Sequence, residues 1–310
     1  MTWDLTVILT DTNMDSIGYD FKLEITNSAP YFTKDRPKGV IMRLLISKHN
    51  IGKWAAHYVA DKINAFNPNA ERLFVLGLPT GSTPLDMYRE LIELNKAAKV
   101  SFKYVATFNM DEYVGLAEDH PESYHYYMYH HFFEHIDINP GNIHILDGNA
   151  VDLDAECEKY EEQIVKLGGI HLQLGGVGED GHLAFNEPGS SLASKTRSKD
   201  LNLSTIIANS RFFDGDISKT PKLALTIGID TVMQAKDVLI MVKGLAKAPA
   251  VYQAIEGAVS SMCPITALQY HRKALIVCDE PAAYDLRLKT IKYFENMQDE
   301  YSALEEKLTS

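Results

Sequence analysis

The chain has 310 residues, 45% hydrophobic and 23% charged, enough to bury a full core and ordinary for a globular protein. A net charge of −12 and a pI near 5.4 argue against nucleic acid or an anionic membrane as partner. No apolar run approaches the ~20 residues needed to span a bilayer. The N-terminus lacks the basic region and long apolar core of a secretory signal. Three cysteines, Cys157, Cys263 and Cys278, form no CxxC pair and suit reduced thiols in a cytoplasmic protein.

In chain order, Trp3 to Leu9 reads as a strand able to pair across Asp11–Ser16 with a second run. There Tyr19, Phe21, Leu23 and Ile25 alternate with polar neighbours. Glycine, proline and charge then cluster at Lys34–Gly39. Residues 1–41 are expected to be an N-terminal extension, peripheral or partly disordered, with Met42 as an alternative translation start. From there to residue 310 the pattern alternates helix and strand, with no repeat, low-complexity segment or linker, and predicts one α/β domain. Ile51, Trp54, Ala55, Tyr58, Val59 and Ile63 recur at helical spacing, and Leu73–Leu78 is a short apolar run suited to a central strand. Pro84 opens a helix with Thr83 as its expected N-cap. Tyr104–Phe108 is a strand, and Pro121–Phe133 and Leu153–Leu167 are helical. Further strands are expected at Ile170–Leu174, Leu223–Ile227, Asp237–Val242 and Ala274–Val277. A helix is expected over Pro249–Gly257 and a longer one over about Tyr284–Leu304. Such alternation implies a mostly parallel, doubly wound, Rossmann-like sheet with helices on both faces, a three-layer architecture.

Ligands of such sheets bind at the carboxyl ends of strands, and three ends carry chemistry here. After the first strand come Pro79-Thr80-Gly81-Ser82-Thr83-Pro84. Backbone N–H groups, hydroxyls and a helix N-terminus there suit an anion such as phosphate, or an ordinary capped helix start. No lysine follows the last glycine, so this is not a Walker A loop. The second end delivers Asp111 and Glu112, candidates for abstracting a proton beside a carbonyl or imine, or a plain loop and helix cap. The third, Gly175-Gly-Val-Gly-Glu-Asp-Gly-His182 followed by Asn186-Glu187-Pro188, places His182 between the carboxylates Asp180 and Glu187. One carboxylate can fix the imidazole tautomer while the ring moves protons near neutral pH. Arg211, between apolar residues, and Lys247, just before the helix-opening Pro249, suit phosphate anchors or structural ion pairs.

Gly176-x-Gly178-x-x-Gly181 matches the dinucleotide fingerprint, but Pro188-Gly189 leaves no room for the helix that fingerprint requires. His131 and His135 share a helix face without a third ligand at a metal-site spacing. The aromatic run Tyr124–Phe133 reads as helix packing surface. There is no Gly-x-Ser-x-Gly elbow for serine hydrolysis.

Taken together, Leu78-Pro-Thr-Gly-Ser-Thr-Pro84, Phe108-Asn-Met-Asp-Glu-Tyr-Val-Gly115, His120-Pro-Glu-Ser-Tyr124, Gly175–His182 with Ala184-Phe-Asn-Glu-Pro188, Ala208–Phe213 and Val277-Cys-Asp-Glu-Pro281 resemble the glucosamine-6-phosphate deaminase family. The resemblance covers about residues 42 to 300. It implies the fold type shared with ribose-5-phosphate isomerase and 6-phosphogluconolactonase. It also implies conversion of glucosamine 6-phosphate and water to fructose 6-phosphate and ammonia, a step of amino-sugar catabolism. His182 would open the pyranose ring, with Asp180 and Glu187 orienting and charge-balancing it. Asp111 would move the C2 proton to C1. Thr80, Gly81, Ser82, Arg211 and Lys247 would hold the phosphate. No organic cofactor or metal is implied, because the amine substrate supplies its own electron sink. Some family members are homohexamers activated by N-acetylglucosamine 6-phosphate, so a homo-oligomer is expected. Ser190, Arg197, Lys199 and Tyr293 match positions of that regulatory site. Asp200, where regulated members carry threonine, and the extension before Met42 both predict weak or absent activation.

Overall fold

The computed structural model describes residues 42–297 and 299–309. The expected N-terminal pair of strands lies outside the described residues. The elements in chain order are β1 (Arg43–Ile46), α1 (Ile51–Phe66), β2 (Phe74–Leu78), α2 (Leu85–Lys96), β3 (Val105–Asn109), β4 (Asp111–Tyr113), α3 (Tyr124–His131), β5 (Ile143–His144), α4 (Leu153–Lys166), β6 (Leu172–Gly175), β7 (Arg197–Asp200), α5 (Leu203–Asn209), β8 (Leu223–Thr226), α6 (Ile229–Met233), β9 (Asp237–Val242), α7 (Ala248–Glu256), β10 (Ala274–Cys278), α8 (Leu288–Glu295) and α9 (Glu300–Thr309).

Among the described residues, seven strands form one parallel sheet in the order β1-β10-β9-β6-β2-β3-β5. Strands β2 and β10 are buried along their whole length, the expected consequence of helices covering both faces. One face packs on α1, α2, α3 and α9 through Trp54, Tyr88, Leu91, Met128 and Leu304. The other packs on α4, α6 and α7 through Tyr160, Ile164, Val232 and Val251. The chain runs outward through β2, β3 and β5, then returns through β6 on the other side of β2 and continues to β9 and β10. The direction therefore reverses between β2 and β6, and such a switch point opens a crevice at the carboxyl ends of the strands.

A second sheet departs from the sequence expectation. Leu223–Thr226 does not join the parallel sheet but lies between β4 and β7 in an antiparallel trio, with Asp111, Thr226 and Arg197 abreast. Strand β7 is polar (Arg-Ser-Lys-Asp) and carries no alternating apolar pattern, so its extended form comes from pairing with β8 rather than from local preference.

Two helix expectations also change. Thr83 does not cap α2: Pro84 occupies the N-cap position, and among the described residues no side chain caps the first turn. The long C-terminal helix is two helices. Asp299 starts the second, its carboxylate accepting from the backbone N–H of Tyr301 and Ser302 and pairing with the guanidinium of Arg43 on β1. That contact seats α9 on the core, where Tyr301 packs against Trp54 and Tyr58. Among the described residues no helix is long and apolar enough to cross a membrane.

Candidate active site

The four adjacent strands β9, β6, β2 and β3 end on one edge of the sheet, and each end leads into a segment bearing candidate residues. At the usual strand spacing they span about 14 Å, a length comparable with a sugar phosphate.

The loop after β2 passes through Gly81 at φ 96°, a left-handed conformation that only glycine adopts without strain. Thr80 is half-buried, while Gly81 and Ser82 are exposed. Its N–H groups at Thr80 and Ser82 have no hydrogen-bond partner among the described residues. With α2 left uncapped, its free donors and positive dipole end face the loop, an arrangement suited to an anion.

The chain leaves β3 through Met110, whose N–H bonds the carbonyl of Leu78, and enters β4 at Asp111. The two acids there differ in kind. The Glu112 carboxylate accepts backbone N–H bonds from Tyr113, Tyr124 and His125, fixing the start of α3. Asp111 is only 7% exposed, and its carboxylate accepts no hydrogen bond from the described residues. Burial, with the charge of Glu112 behind it, raises its pKa from 3.8 to about 8. A buried carboxyl tuned near neutrality and without a structural partner is suited to proton transfer. Glu112 is held by three backbone N–H groups, while the Asp111 carboxylate has no such engagement among the described residues.

The loop after β6 folds back on itself. The N–H of Gly178 donates to the carbonyl of His182, and the His182 Nδ1 lies 2.7 Å from Asp180 Oδ1. That bond holds the Asp180 carboxyl below its ordinary pKa and assigns the ring proton to Nδ1, leaving Nε2 as the free acceptor. Gly178 is required by close approach: a Cβ there would stand 2.1 Å from His182 Cε1.

Glu187 does not join the histidine, contrary to expectation. It is 2% exposed; Lys199 Nζ lies 2.7 Å away, the Thr205 hydroxyl donates to it, and so does the backbone N–H of Asn202. A charge buried this deeply needs such partners, and β7 with the start of α5 supplies them. Asn186 beside it donates to the carbonyls of Leu183 and Ile227 and accepts from Arg197, tying the same loop to β8 and β7. Of the regulatory-site candidates, Lys199 and Arg197 are thus engaged by the active-site loop, and the Ser190 N–H bonds the Glu187 carbonyl. Tyr293 lies exposed on α8 against Phe294, and no hydrogen bond among the described residues links it to them.

Lys247 follows β9 after Gly244, whose N–H is held by Asp279. Partial burial lowers its pKa, and it lies within electrostatic range of Glu179, Asp180 and Arg211. Arg211 is not enclosed by its apolar neighbours: it is exposed, its guanidinium over the Phe212 ring at 4.6 Å. Sequence reasoning also missed Tyr113 and Tyr124. They lie close to Asp111, and Asn209 on α5 donates to the Tyr113 hydroxyl at 2.9 Å. In the sequence Tyr113 stands only as a member of the motif around Asp111, and Tyr124 as the start of the aromatic run.

The family model for glucosamine-6-phosphate isomerases/6-phosphogluconolactonase matches residues 47–277. A glucosamine-6-phosphate deaminase of Drosophila melanogaster is 60% identical over 269 residues, 85% of this chain and 98% of that protein. One of Parabacteroides distasonis is 60% identical over 262 residues, 84% and 97% of the two chains. Among solved structures, a monomeric glucosamine-6-phosphate deaminase superposes with a TM-score of 0.74 at 42% identity, covering 79% of this chain and all of its own. A 6-phosphogluconolactonase of Thermotoga maritima superposes at 0.60 with 18% identity over 78% of this chain, a likeness of fold alone. The chain belongs to the family of glucosamine-6-phosphate isomerases and 6-phosphogluconolactonases, and within it to the glucosamine-6-phosphate deaminases.

Proposed function

We infer that the chain converts glucosamine 6-phosphate and water to fructose 6-phosphate and ammonia, with residues 42–310 acting as one catalytic domain. The relatives at 60% identity support the reaction, and Asp111 is the observation that carries its assignment to residues. The phosphate lies on Thr80, Gly81 and Ser82, with Arg211 and Lys247 closing over it. His182, its Nδ1–H held by Asp180, uses Nε2 to take the proton of the C1 hydroxyl and pass it to the ring oxygen, which opens the pyranose. Asp111 then removes the C2 proton of the open-chain aldehyde while O1 takes a proton from solvent, giving an enolamine. The carboxyl returns the proton to C1, leaving an iminium at C2. Water adds there and ammonia departs, so no oxidant or reductant is needed.

Glu187 acts indirectly by anchoring the loop that carries His182. Because Lys199 and Arg197 already hold that loop, and Asp200 lies exposed beside them, N-acetylglucosamine 6-phosphate activates weakly or not at all. We assign the protein to the cytoplasm and to a homo-oligomer, whose size native mass measurement decides. The test of function is release of both products from glucosamine 6-phosphate by the full-length protein. Stoichiometric ammonia and fructose 6-phosphate are expected; binding without either product would overturn the reading. A large fall in half-saturating substrate on adding N-acetylglucosamine 6-phosphate would overturn the regulatory part.

A further inference from the structure

The aromatic helix α3 reads from sequence as packing surface, yet one of its hydroxyls does something else. Tyr127 Oη donates to the carbonyl of Gly81 at 2.5 Å, reaching across 46 positions of sequence to the tip of the loop after β2. The buried Tyr88 of α2 donates to the carbonyl of Pro79 in the same loop. The carbonyls of alternate residues are thereby drawn toward the two helices.

In a trans peptide the carbonyl of one residue and the N–H of the next point in opposite directions. The peptide carrying the Pro79 carbonyl also carries the Thr80 N–H, and the peptide carrying the Gly81 carbonyl carries the Ser82 N–H. Fixing those two carbonyls inward aims both N–H groups outward. Both N–H groups are without a partner among the described residues, as are those of Gly81 and Thr83. The Gly81 peptide is the one that needs holding. At φ 96° with nothing within 4 Å of a notional Cβ, neither side-chain packing nor ordinary backbone preference restrains it. Burial pushes the Tyr127 hydroxyl further above its ordinary pKa, so it stays a donor throughout the working range.

We propose that Tyr127 is a positioning residue for the substrate phosphate, holding the Gly81 peptide so that the Ser82 N–H faces the anion. This rests on the reading of the 80–82 loop as the phosphate site. Tyr127 touches no reacting atom, so its removal weakens binding of the phosphate group without impairing proton transfer.

The test is Tyr127→Phe in the full-length protein, which keeps the ring and deletes one oxygen. Steady-state kinetics on glucosamine 6-phosphate and competitive inhibition by inorganic phosphate are measured together. The expected result is a rise of about tenfold in both KM and the phosphate inhibition constant, the worth of one well-aimed hydrogen bond to a charged group, with kcat within about twofold. Tyr126→Phe, exposed on the same helix, should leave all three unchanged. Gly81→Ala is run alongside, because a side chain at that φ distorts the loop directly. If Gly81→Ala weakens phosphate inhibition and Tyr127→Phe does not, the role of Tyr127 is wrong while the phosphate site stands. If neither weakens it, the phosphate reading of the loop fails and the proposal with it. A fall in kcat at unchanged KM in Tyr127→Phe would also overturn the proposal, since that pattern belongs to the catalytic step or to general disruption of the fold.

Discussion

Replacing Asp111 with asparagine should make the protein more stable and nearly inactive. The carboxyl is buried without a hydrogen-bond donor, and its pKa is raised from 3.8 to about 8. Between pH 3.8 and pH 7 the unfolded chain gives up a proton that the folded chain retains. At 1.36 kcal/mol per pH unit this penalises folding by about 4 kcal/mol at pH 7. Asparagine removes that penalty but leaves its own amide unpaired in the same place, at a cost of about 1–3 kcal/mol. The net expectation is a gain of about 2 kcal/mol at pH 7. The sign follows from the raised folded-state pKa: the penalty is absent below pH 3.8, grows as pH rises, and levels off above about 8. Urea unfolding of both proteins at pH 7 and near pH 4, at equal protein concentration, reads this directly. The variant should lead at pH 7 and lose its lead at the lower pH. Its kcat should fall by about 10³ with KM within threefold, the pattern of a lost general base. A variant less stable than the parent at pH 7, or a kcat within tenfold of the parent, would refute the placement of a strained base at this position.

Three other substitutions test the same geometry. The acid limb of kcat/KM in the parent should fall near pH 8, and Glu112→Gln should move it to lower pH by removing the charge that helps raise Asp111. The same change should cost about 1–3 kcal/mol of stability, because three backbone N–H groups lose their carboxylate, and a calorimetric scan checks it. Gly178→Ala puts a methyl group 2.1 Å from the His182 ring and should lower kcat/KM about a hundredfold, with circular dichroism unchanged. Arg43→Leu removes the partner of Asp299 and should speed hydrogen exchange across 288–309 while leaving kcat within twofold.

The parallel sheet was legible because β2, β3, β9 and β10 are covered on both faces, so each stands out as a short apolar run. The ends of those runs, with the end of β6, point from the sequence alone to the 80–82 loop, Asp111, the Asp180–His182 pair and Lys247 as candidates. Residue types and their spacing along the chain sufficed, because each group sits within a few positions of a strand that announces itself. The dinucleotide pattern in the 176–181 stretch was separable for the same reason, since a proline within reach forbids the helix it needs.

What the sequence could not determine depends on partners distant in the chain. Strand β7 exists because β8 pairs with it, and nothing in Arg-Ser-Lys-Asp predicts a strand. Glu187 turns from His182 to Lys199 because burial demands a counter-charge, and β7 brings the lysine there. The C-terminal helix divides where Asp299 finds Arg43, 256 positions earlier in the chain. Local periodicity records which face of an element is apolar. Which buried charge meets which, and which hydroxyl steadies a loop from another helix, are settled only when the folded core excludes water from those groups and obliges them to pair.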